Sequence, residues 1–227
     1  MNIVANLNRI RAEIAAAETQ YKRPIGAVKL IAVSKTRPVN DIVAAINEGQ
    51  LDFGENYVQE AVEKIEVINN PNIHWHFIGP VQSNKTRQIA HYFDWVHTVD
   101  RIKIAKRLND MRPAEKPPLN ICIQINISGE DSKSGIILDE VGDFISELAP
   151  FSNLKVRGLM ALPAPATDFE VQRESFSELN HCLSGLNKSN PELDTLSIGT
   201  TQDMLAAIAE GSTMVRIGTA IFGKRKK

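Results

Sequence analysis

The sequence contains few cysteines and no long apolar segment. Its 227 residues include only two cysteines, Cys122 and Cys182, which is too few for a disulfide framework, and no Cys/His spacing suits a zinc site. Charged residues interrupt the apolar positions near the N-terminus, so the pattern predicts neither a signal peptide nor a membrane span. We therefore expect a cytoplasmic protein without a metal site.

An excess of charge of one sign is also missing. The chain has 26 basic and 27 acidic residues, a formal net charge of −1, so no bulk attraction to nucleic acid or to a membrane surface is expected. The one basic run, residues 224–227, is interpreted as a solvated tail. A G-x-G-x-x-G phosphate loop is absent after the first predicted strand, which argues against a dinucleotide-binding open sheet.

A regular alternation of short β-branched runs and amphipathic helical patterns is what the sequence does contain. Eight predicted strands alternate with seven helical segments, and one further helix precedes the first strand. Such alternation predicts parallel βαβ units, and eight units close a barrel. Because no shift in composition divides the chain, we predict an α/β fold with one (β/α)8 TIM-type barrel domain over residues 1–227 and an extra N-terminal helix. The predicted strands are 29–34, 51–54, 73–78, 94–98, 119–126, 154–160, 195–198 and 213–217.

Chemically useful side chains follow several of these strands, at the barrel end where active sites lie. The segment 199–201 runs into a predicted helix at 202, and Gly218-Thr219 follows the neighbouring strand. Backbone N–H groups at such positions are typical of phosphate sites, although helix capping by a threonine would produce the same pattern. The candidate site residues are Lys35, Asn56, His76, Thr200, Thr201, Arg216, Gly218 and Thr219.

A lysine and a phosphate site on one barrel face are compatible with two kinds of Schiff-base protein. One is a class I aldolase that acts on a sugar phosphate, and the other is a pyridoxal 5′-phosphate protein with the aldehyde on Lys35. Arg216 favours the second, since its guanidinium would keep a pyridine nitrogen unprotonated and so disfavour transamination and decarboxylation. A salt-bridged structural arginine is the alternative. His74 and His76 share a strand face, but no third metal ligand accompanies them.

Six short blocks carry a resemblance to a known family: residues 32–35, 53–60, 74–79, 82–85, 157–160 and 211–223. Together they resemble the YggS/PROSC family of pyridoxal phosphate homeostasis proteins. The resemblance implies a barrel like the N-terminal domain of alanine racemase, with pyridoxal phosphate on Lys35 and its phosphate held by the loops after strands seven and eight. It also implies that Arg216 lies near the ring nitrogen, that Asn56 lies beside the cofactor, and that the family keeps free pyridoxal phosphate in check without a clear enzymatic activity.

A further segment, outside these six blocks, departs from the family pattern. Where the family usually has Ser-Met-Gly-Met-Ser, this chain has Ser-Ile-Gly-Thr-Thr at residues 197–201. Thr201 keeps a hydroxyl at the position that contacts the phosphate, so binding should survive. Thr200 replaces a methionine, which changes the packing over the phosphate.

Amino-acid racemase activity is the alternative function. Racemases of this barrel type take a second base from a separate β domain of a partner subunit, and this sequence ends shortly after the eighth predicted strand. None of its three tyrosines (Tyr21, Tyr57 and Tyr92) falls at a predicted strand end. Two-sided proton transfer is hard to arrange without such a base. We therefore expect a monomer without a catalytic residue, which binds pyridoxal phosphate and can pass it to apo-enzymes.

Overall fold

The computed structural model describes residues 2–130 and 133–224, so residues 225–227 of the predicted basic tail lie outside the described part. Eight parallel strands close into a barrel in chain order, and the last strand pairs with the first. The predicted (β/α)8 barrel is thus confirmed. The strands are β1 (Lys29–Val33), β2 (Asp52–Glu55), β3 (His74–Phe77), β4 (Trp95–Val99), β5 (Leu119–Ile125), β6 (Leu154–Ala161), β7 (Thr195–Ser197) and β8 (Met214–Ile217).

Helices surround the barrel and carry apolar residues on their inner faces. They are α1 (Ile3–Gln20), α2 (Val39–Asn47), α3 (Val58–Ile68), α4 (Thr86–Tyr92), α5 (Ile102–Met111), α6 (Val141–Leu148), α7 (Phe169–Asn187), α8 (Met204–Ala209) and α9 (Thr219–Phe222). The extra helix α1 begins at the cap residue Asn2, whose side chain accepts a hydrogen bond from the N–H of Ala5. Its Leu7, Ile10 and Ile14 are buried against the ring of helices. Burial of each side chain contributes about 1.5–3 kcal/mol to the free energy of folding. None of the helices within 2–130 and 133–224 has the length and apolar character to cross a membrane.

Alternation along the strands separates two apolar clusters. Leu30 and Ala32 face outwards into the large core between strands and helices, whereas Ile31 belongs to a smaller cluster with Trp95, Cys122, Met160 and Met214 inside the barrel. Successive side chains on a strand point to opposite faces. Arg216, two residues after Met214, therefore faces the barrel interior as well.

Candidate functional site

Three predicted site residues lie on three adjacent strands at the carboxyl end of the barrel. Lys35 is half-buried on the turn after β1, Asn56 follows β2, and Arg216 is in β8. The register pairs Arg216 with Ile31 of β1, so the guanidinium begins deeper in the barrel than the lysine. The closed barrel thus brings together residues that are up to 181 positions apart in the sequence.

Arg216 is a buried cation whose hydrogen-bond partners are neutral oxygens. One of its terminal nitrogens donates to Ser197 Oγ at 2.7 Å and to the Ser197 carbonyl at 2.5 Å, and the other donates to the carbonyl of Ala161 at 3.0 Å. Burial lowers the pKa of Arg216 to about 10, so the guanidinium stays charged at neutral pH. It borders a cavity of ≈ 200 Å³ that Gly199, Thr200 and residues of the loop after β6 also line. This arrangement suits a ligand that supplies an acceptor atom.

Asn56 carries a buried polar atom that a ligand would satisfy. Its Oδ1 has no hydrogen-bond partner among the described residues, and leaving a buried acceptor unpaired costs about 1–3 kcal/mol. The backbones of Gly79 and Asn56 lie so close together that only glycine fits at position 79, since a Cβ there would lie 2.2 Å from the Asn56 carbonyl oxygen. The amide oxygen therefore fits a hydroxyl or N–H donor on a bound molecule.

The turn after β7 differs in part from the prediction. Helix α8 begins at Met204 rather than near 202, because Asp203 Oδ1 accepts hydrogen bonds from the Thr200 N–H and, at 2.8 Å, from the Thr200 hydroxyl. Both predicted phosphate donors of Thr200 are thus directed to a carboxylate of the same turn. Gly199 has φ +97°, and a Cβ there would lie 2.7 Å from the Cβ of Ala207, so the tight turn requires glycine.

Two further residues that were predicted to bind the phosphate are exposed to solvent. Thr201 on this turn is exposed, and Thr219 is exposed at the start of α9, directly after Gly218. The short helix α9 was not predicted. Its first N–H groups have no acceptors within the helix, so the segment after β8 presents donors to the rim.

His76 lies deeper in the barrel than the other predicted site residues. Its register partner is Gly54, two residues below Asn56, so its ring lies one layer below the rim and has no exposure to solvent. Both ring nitrogens are already engaged: Nε2 is 3.0 Å from Asp52 Oδ1, and Nδ1 is 3.0 Å from His97 Nε2. Contact between His76 and the cofactor thus stays a prediction, and this geometry offers neither ring nitrogen for it.

A buried ionic cluster lies next to the turn that carries Lys35, and it was not predicted from the sequence. Glu55 Oε1 accepts hydrogen bonds from Ser34 Oγ at 2.7 Å and from Lys64 Nζ at 2.8 Å. Lys64 also donates to the Ser34 carbonyl at 2.8 Å and forms an ion pair with Glu60. The signal was available, because Lys64 interrupts the apolar stripe of α3. The cluster fixes the backbone that leads into Lys35.

The interior hydrogen bonds around His97 and Ser197 were also missed. His97 Nδ1 lies 2.8 Å from Ser197 Oγ, and a period of two from Trp95 along β4 would have placed His97 inside the barrel. Cys122 lies in the same interior, where burial raises the pKa of its thiol to about 12, so it is not nucleophilic at neutral pH. Across the described ranges, no three His, Cys, Asp or Glu side chains are grouped as a metal site.

Comparison with known proteins identifies the relatives of this chain. Residues 5–226 match the family model of the alanine racemase N-terminal domain. The pyridoxal phosphate homeostasis protein of Escherichia coli (strain K12) is 53% identical, with 99% of this chain and 98% of that protein covered. The protein of the same name from Pasteurella multocida (strain Pm70) is 54% identical, over 99% and 98% of the two chains.

Solved structures agree with these matches. PipY of Synechococcus elongatus PCC7942, solved with PLP bound, superimposes with a TM-score of 0.83 at 31% identity and covers 97% of this chain and 100% of PipY. Alanine racemase from Corynebacterium glutamicum superimposes with a TM-score of 0.69 at 19% identity, over 96% of this chain and 62% of the racemase, and this likeness concerns the fold alone. The chain belongs to the family of pyridoxal phosphate homeostasis proteins, within the alanine racemase N-terminal domain family.

Proposed function

We propose that this protein binds pyridoxal 5′-phosphate as a Schiff base on Lys35 and takes part in intracellular homeostasis of this cofactor without robust catalysis. The observation that carries the proposal is the placement of Lys35 and the buried Arg216 on neighbouring strands, at the end of the barrel that holds the cavity beside Arg216. The names of the relatives and the PLP-bound structure of PipY support the same ligand.

Each rim residue has a separate part in binding. Pyridoxal phosphate, when bound, supplies an aldehyde that a lysine amine captures reversibly. Arg216 donates a hydrogen bond to the ring nitrogen, and Asn56 Oδ1 accepts one from the ring hydroxyl. Thr201 and Thr219 donate to the phosphate, together with backbone N–H groups at Gly218 and Thr219. Thr200 has a supporting part, because its donors hold the Asp203 carboxylate and so shape the turn.

Arg216 also explains why holding the cofactor is favoured over chemistry on it. A guanidinium has no proton to accept and only donates hydrogen bonds. The ring nitrogen facing it therefore remains an acceptor, and the ring is a weaker electron sink than one protonated by a carboxylic acid. A weak electron sink disfavours demanding reactions at the bound cofactor.

Exposure of the rim favours transfer of the cofactor to other proteins. Thr201 and Thr219 both remain accessible at the phosphate end of the site, so an apo-enzyme can approach the cofactor directly. We propose that PLP-dependent apo-enzymes receive it, that the protein acts as a monomer, and that it works in the cytoplasm. The two free cysteines are compatible with a reducing compartment.

Absorbance spectroscopy of the purified protein tests this proposal. Incubation with pyridoxal phosphate followed by dialysis should leave a visible band, and borohydride should then fix the cofactor on Lys35, as read by peptide mass. Lys35→Arg keeps the positive charge but cannot form the Schiff base, so it should lose the band. The matched control is Lys106→Arg, on the outer surface of α5, which should keep it.

Two results would overturn the proposal. A wild-type protein that remains colourless after reconstitution would exclude pyridoxal phosphate as the ligand and leave a sugar-phosphate aldolase to be tested. Sustained racemisation of an amino acid by the wild-type protein, lost in Lys35→Arg, would replace the homeostasis function with that of a racemase.

A further inference from the structure

A continuous line of hydrogen bonds crosses the interior of the barrel from its amino end to Arg216. It begins at Asp52 at the start of β2 and passes through His76 of β3 and His97 of β4 to Ser197 of β7. The successive donor–acceptor distances are 3.0 Å, 3.0 Å and 2.8 Å, and the last step to Arg216 is 2.7 Å. Both imidazoles and Ser197 are fully buried. The contact between His97 and Ser197 joins strands that are not neighbours in the sheet, and it exists only because the barrel is closed.

The two ends of this line have opposite hydrogen-bonding character. Arg216 has donors only, and the Asp52 carboxylate has acceptors only. His76 must therefore present Nε2–H to Asp52. If His76 is neutral, its Nδ1 is an acceptor and must receive Nε2–H from His97.

The direction of donation continues from His97 to the arginine. A neutral His97 with hydrogen on Nε2 has an acceptor at Nδ1, which only the hydroxyl of Ser197 can fill along this line. The Ser197 oxygen in turn accepts from Arg216. Every member is then satisfied by one arrangement of protons, in which each bond points from Arg216 towards Asp52.

Burial favours this neutral arrangement and outweighs the carboxylates near His76, which raise its pKa. Burial lowers the pKa of His76, and it lowers the pKa of His97 well below the ordinary value, with the nearby His76 and Arg216 adding to the effect on His97. Asp52 faces His76 from below and forms an ion pair with the partly exposed Lys29 at 3.1 Å. The negative charge of Asp94 raises the pKa of His76 as well. Asp94 lies at the edge of the barrel, where its carboxylate accepts a hydrogen bond from the backbone N–H of Trp75.

We propose that Asp52, His76, His97 and Ser197 form a positioning relay for Arg216, with both histidines as neutral Nε2–H tautomers. Together with the Ser197 and Ala161 carbonyls, the relay holds the terminal nitrogens of the guanidinium and so directs its remaining N–H donors at the rim cavity. It rests on the proposed function only where it concerns the ligand that those donors meet, the ring nitrogen of pyridoxal phosphate. In the relay, His76 has a role that does not require contact with the cofactor.

The proton positions are tested on the protein without cofactor. Long-range ¹H–¹⁵N spectra of ¹⁵N-histidine-labelled protein should show neutral Nε2–H tautomers for His76 and His97 at neutral pH. Exposed His181 on α7 provides a reference signal. An imidazolium at His76, or an Nδ1–H tautomer at either residue, would overturn the relay. Because no cofactor is present, this measurement is independent of the proposed function.

The effect on Arg216 is tested with two substitutions of one residue. Glutamine offers both a donor and an acceptor, as a neutral imidazole does, so His97→Gln should bind pyridoxal phosphate within about twofold of the wild-type affinity. His97→Leu leaves the Ser197 hydroxyl hydrogen without its acceptor and His76 Nδ1 without its donor, and it should bind pyridoxal phosphate about tenfold more weakly. Cys122→Ala, a buried change in the same interior outside the line of hydrogen bonds, should bind like the wild type.

The outcomes separate the two proposals. A wild-type protein that binds no pyridoxal phosphate contradicts the proposed function, whereas the spectra still decide the proton arrangement. If the wild type binds the cofactor and His97→Leu binds it as tightly as His97→Gln, the relay is refuted. If His97→Leu does not fold, Asp52→Leu at the partly exposed end takes its place, with Asp52→Asn, which keeps an acceptor, as its matched control.

Discussion

Lys64 Nζ lies 2.8 Å from Glu55 Oε1, and both side chains are almost completely shielded from solvent. The ammonium also donates to the carbonyl of Ser34, the residue directly before Lys35. An ion pair between β2 and α3 thus fixes the start of the turn that carries Lys35, from the side of the barrel wall that faces away from the cavity.

Lys64→Met should destabilise the protein strongly. The substitution leaves the Glu55 carboxylate buried without its charged partner, and breaking a buried pair in this way costs about 3–5 kcal/mol. Urea unfolding at neutral pH measures the loss in the free energy of unfolding. Lys106→Met, at an exposed ion pair on α5, should change it by no more than about 0.5 kcal/mol. Equal losses in the two variants would show that the buried ion pair contributes no more to the free energy of unfolding than the exposed one.

The free energy of unfolding should decrease as the pH falls below about 6.5. Burial lowers the pKa of His76 and His97 in the folded protein, whereas in the unfolded chain these residues gain a proton near the ordinary value of about 6.5. The unfolded state thus binds more protons in this range. Each histidine then removes up to about 1.4 kcal/mol per pH unit. Above the unfolded-state value both states are neutral and the contribution is constant.

Urea unfolding at a series of pH values checks this dependence. His97→Gln should show a shallower decrease between about pH 6.5 and 5, because one of the two contributing groups is gone. His181→Gln changes an exposed side chain on α7 and should leave the slope as it is in the wild type. A wild-type slope that His97→Gln does not reduce would contradict the assignment to the buried pair.

Gly199→Ala should destabilise the turn after β7. A side chain at φ +97° is strained, and its Cβ would lie 2.7 Å from Ala207 Cβ, so the cost should be about 1–3 kcal/mol. Gly142 in α6 has open space where a Cβ would lie. Gly142→Ala should therefore stabilise the protein by about 0.5–1 kcal/mol. Thermal or urea unfolding of the two variants distinguishes these opposite signs.

If the proposed function holds, Thr201→Val and Thr219→Val should each weaken binding of pyridoxal phosphate about tenfold, since each would remove a hydroxyl donor to the charged phosphate. Thr200→Val should have a smaller effect, because the hydroxyl of Thr200 is held by Asp203. Absorbance titration with pyridoxal, which has no phosphate, supplies the control and should show no loss in any of the three variants. An equal loss for both ligands would place these threonines away from the phosphate.

Much of the fold was predictable because it depends on local patterns. The predicted strand 119–126 corresponds to β5 (Leu119–Ile125), and 154–160 to β6 (Leu154–Ala161). Apolar β-branched runs between turn residues carry that information within a few positions of each other. The start of α8 was not predictable in this way, because the side chain of Asp203 binds back to Thr200 and delays the helix to Met204.

The barrel, the family and the presence of Lys35, Asn56 and Arg216 at the carboxyl ends of strands could all be predicted from the amino-acid sequence, since strand period and motif spacing are local properties of the chain. The depth of each side chain in the barrel depends instead on contacts between distant parts of the chain. Register between strands places His76 level with Gly54 and links it to His97, and closure of the barrel brings Ser197 to His97 and Arg216. These contacts join residues separated by 19 to 100 positions, and no local pattern encodes such distances.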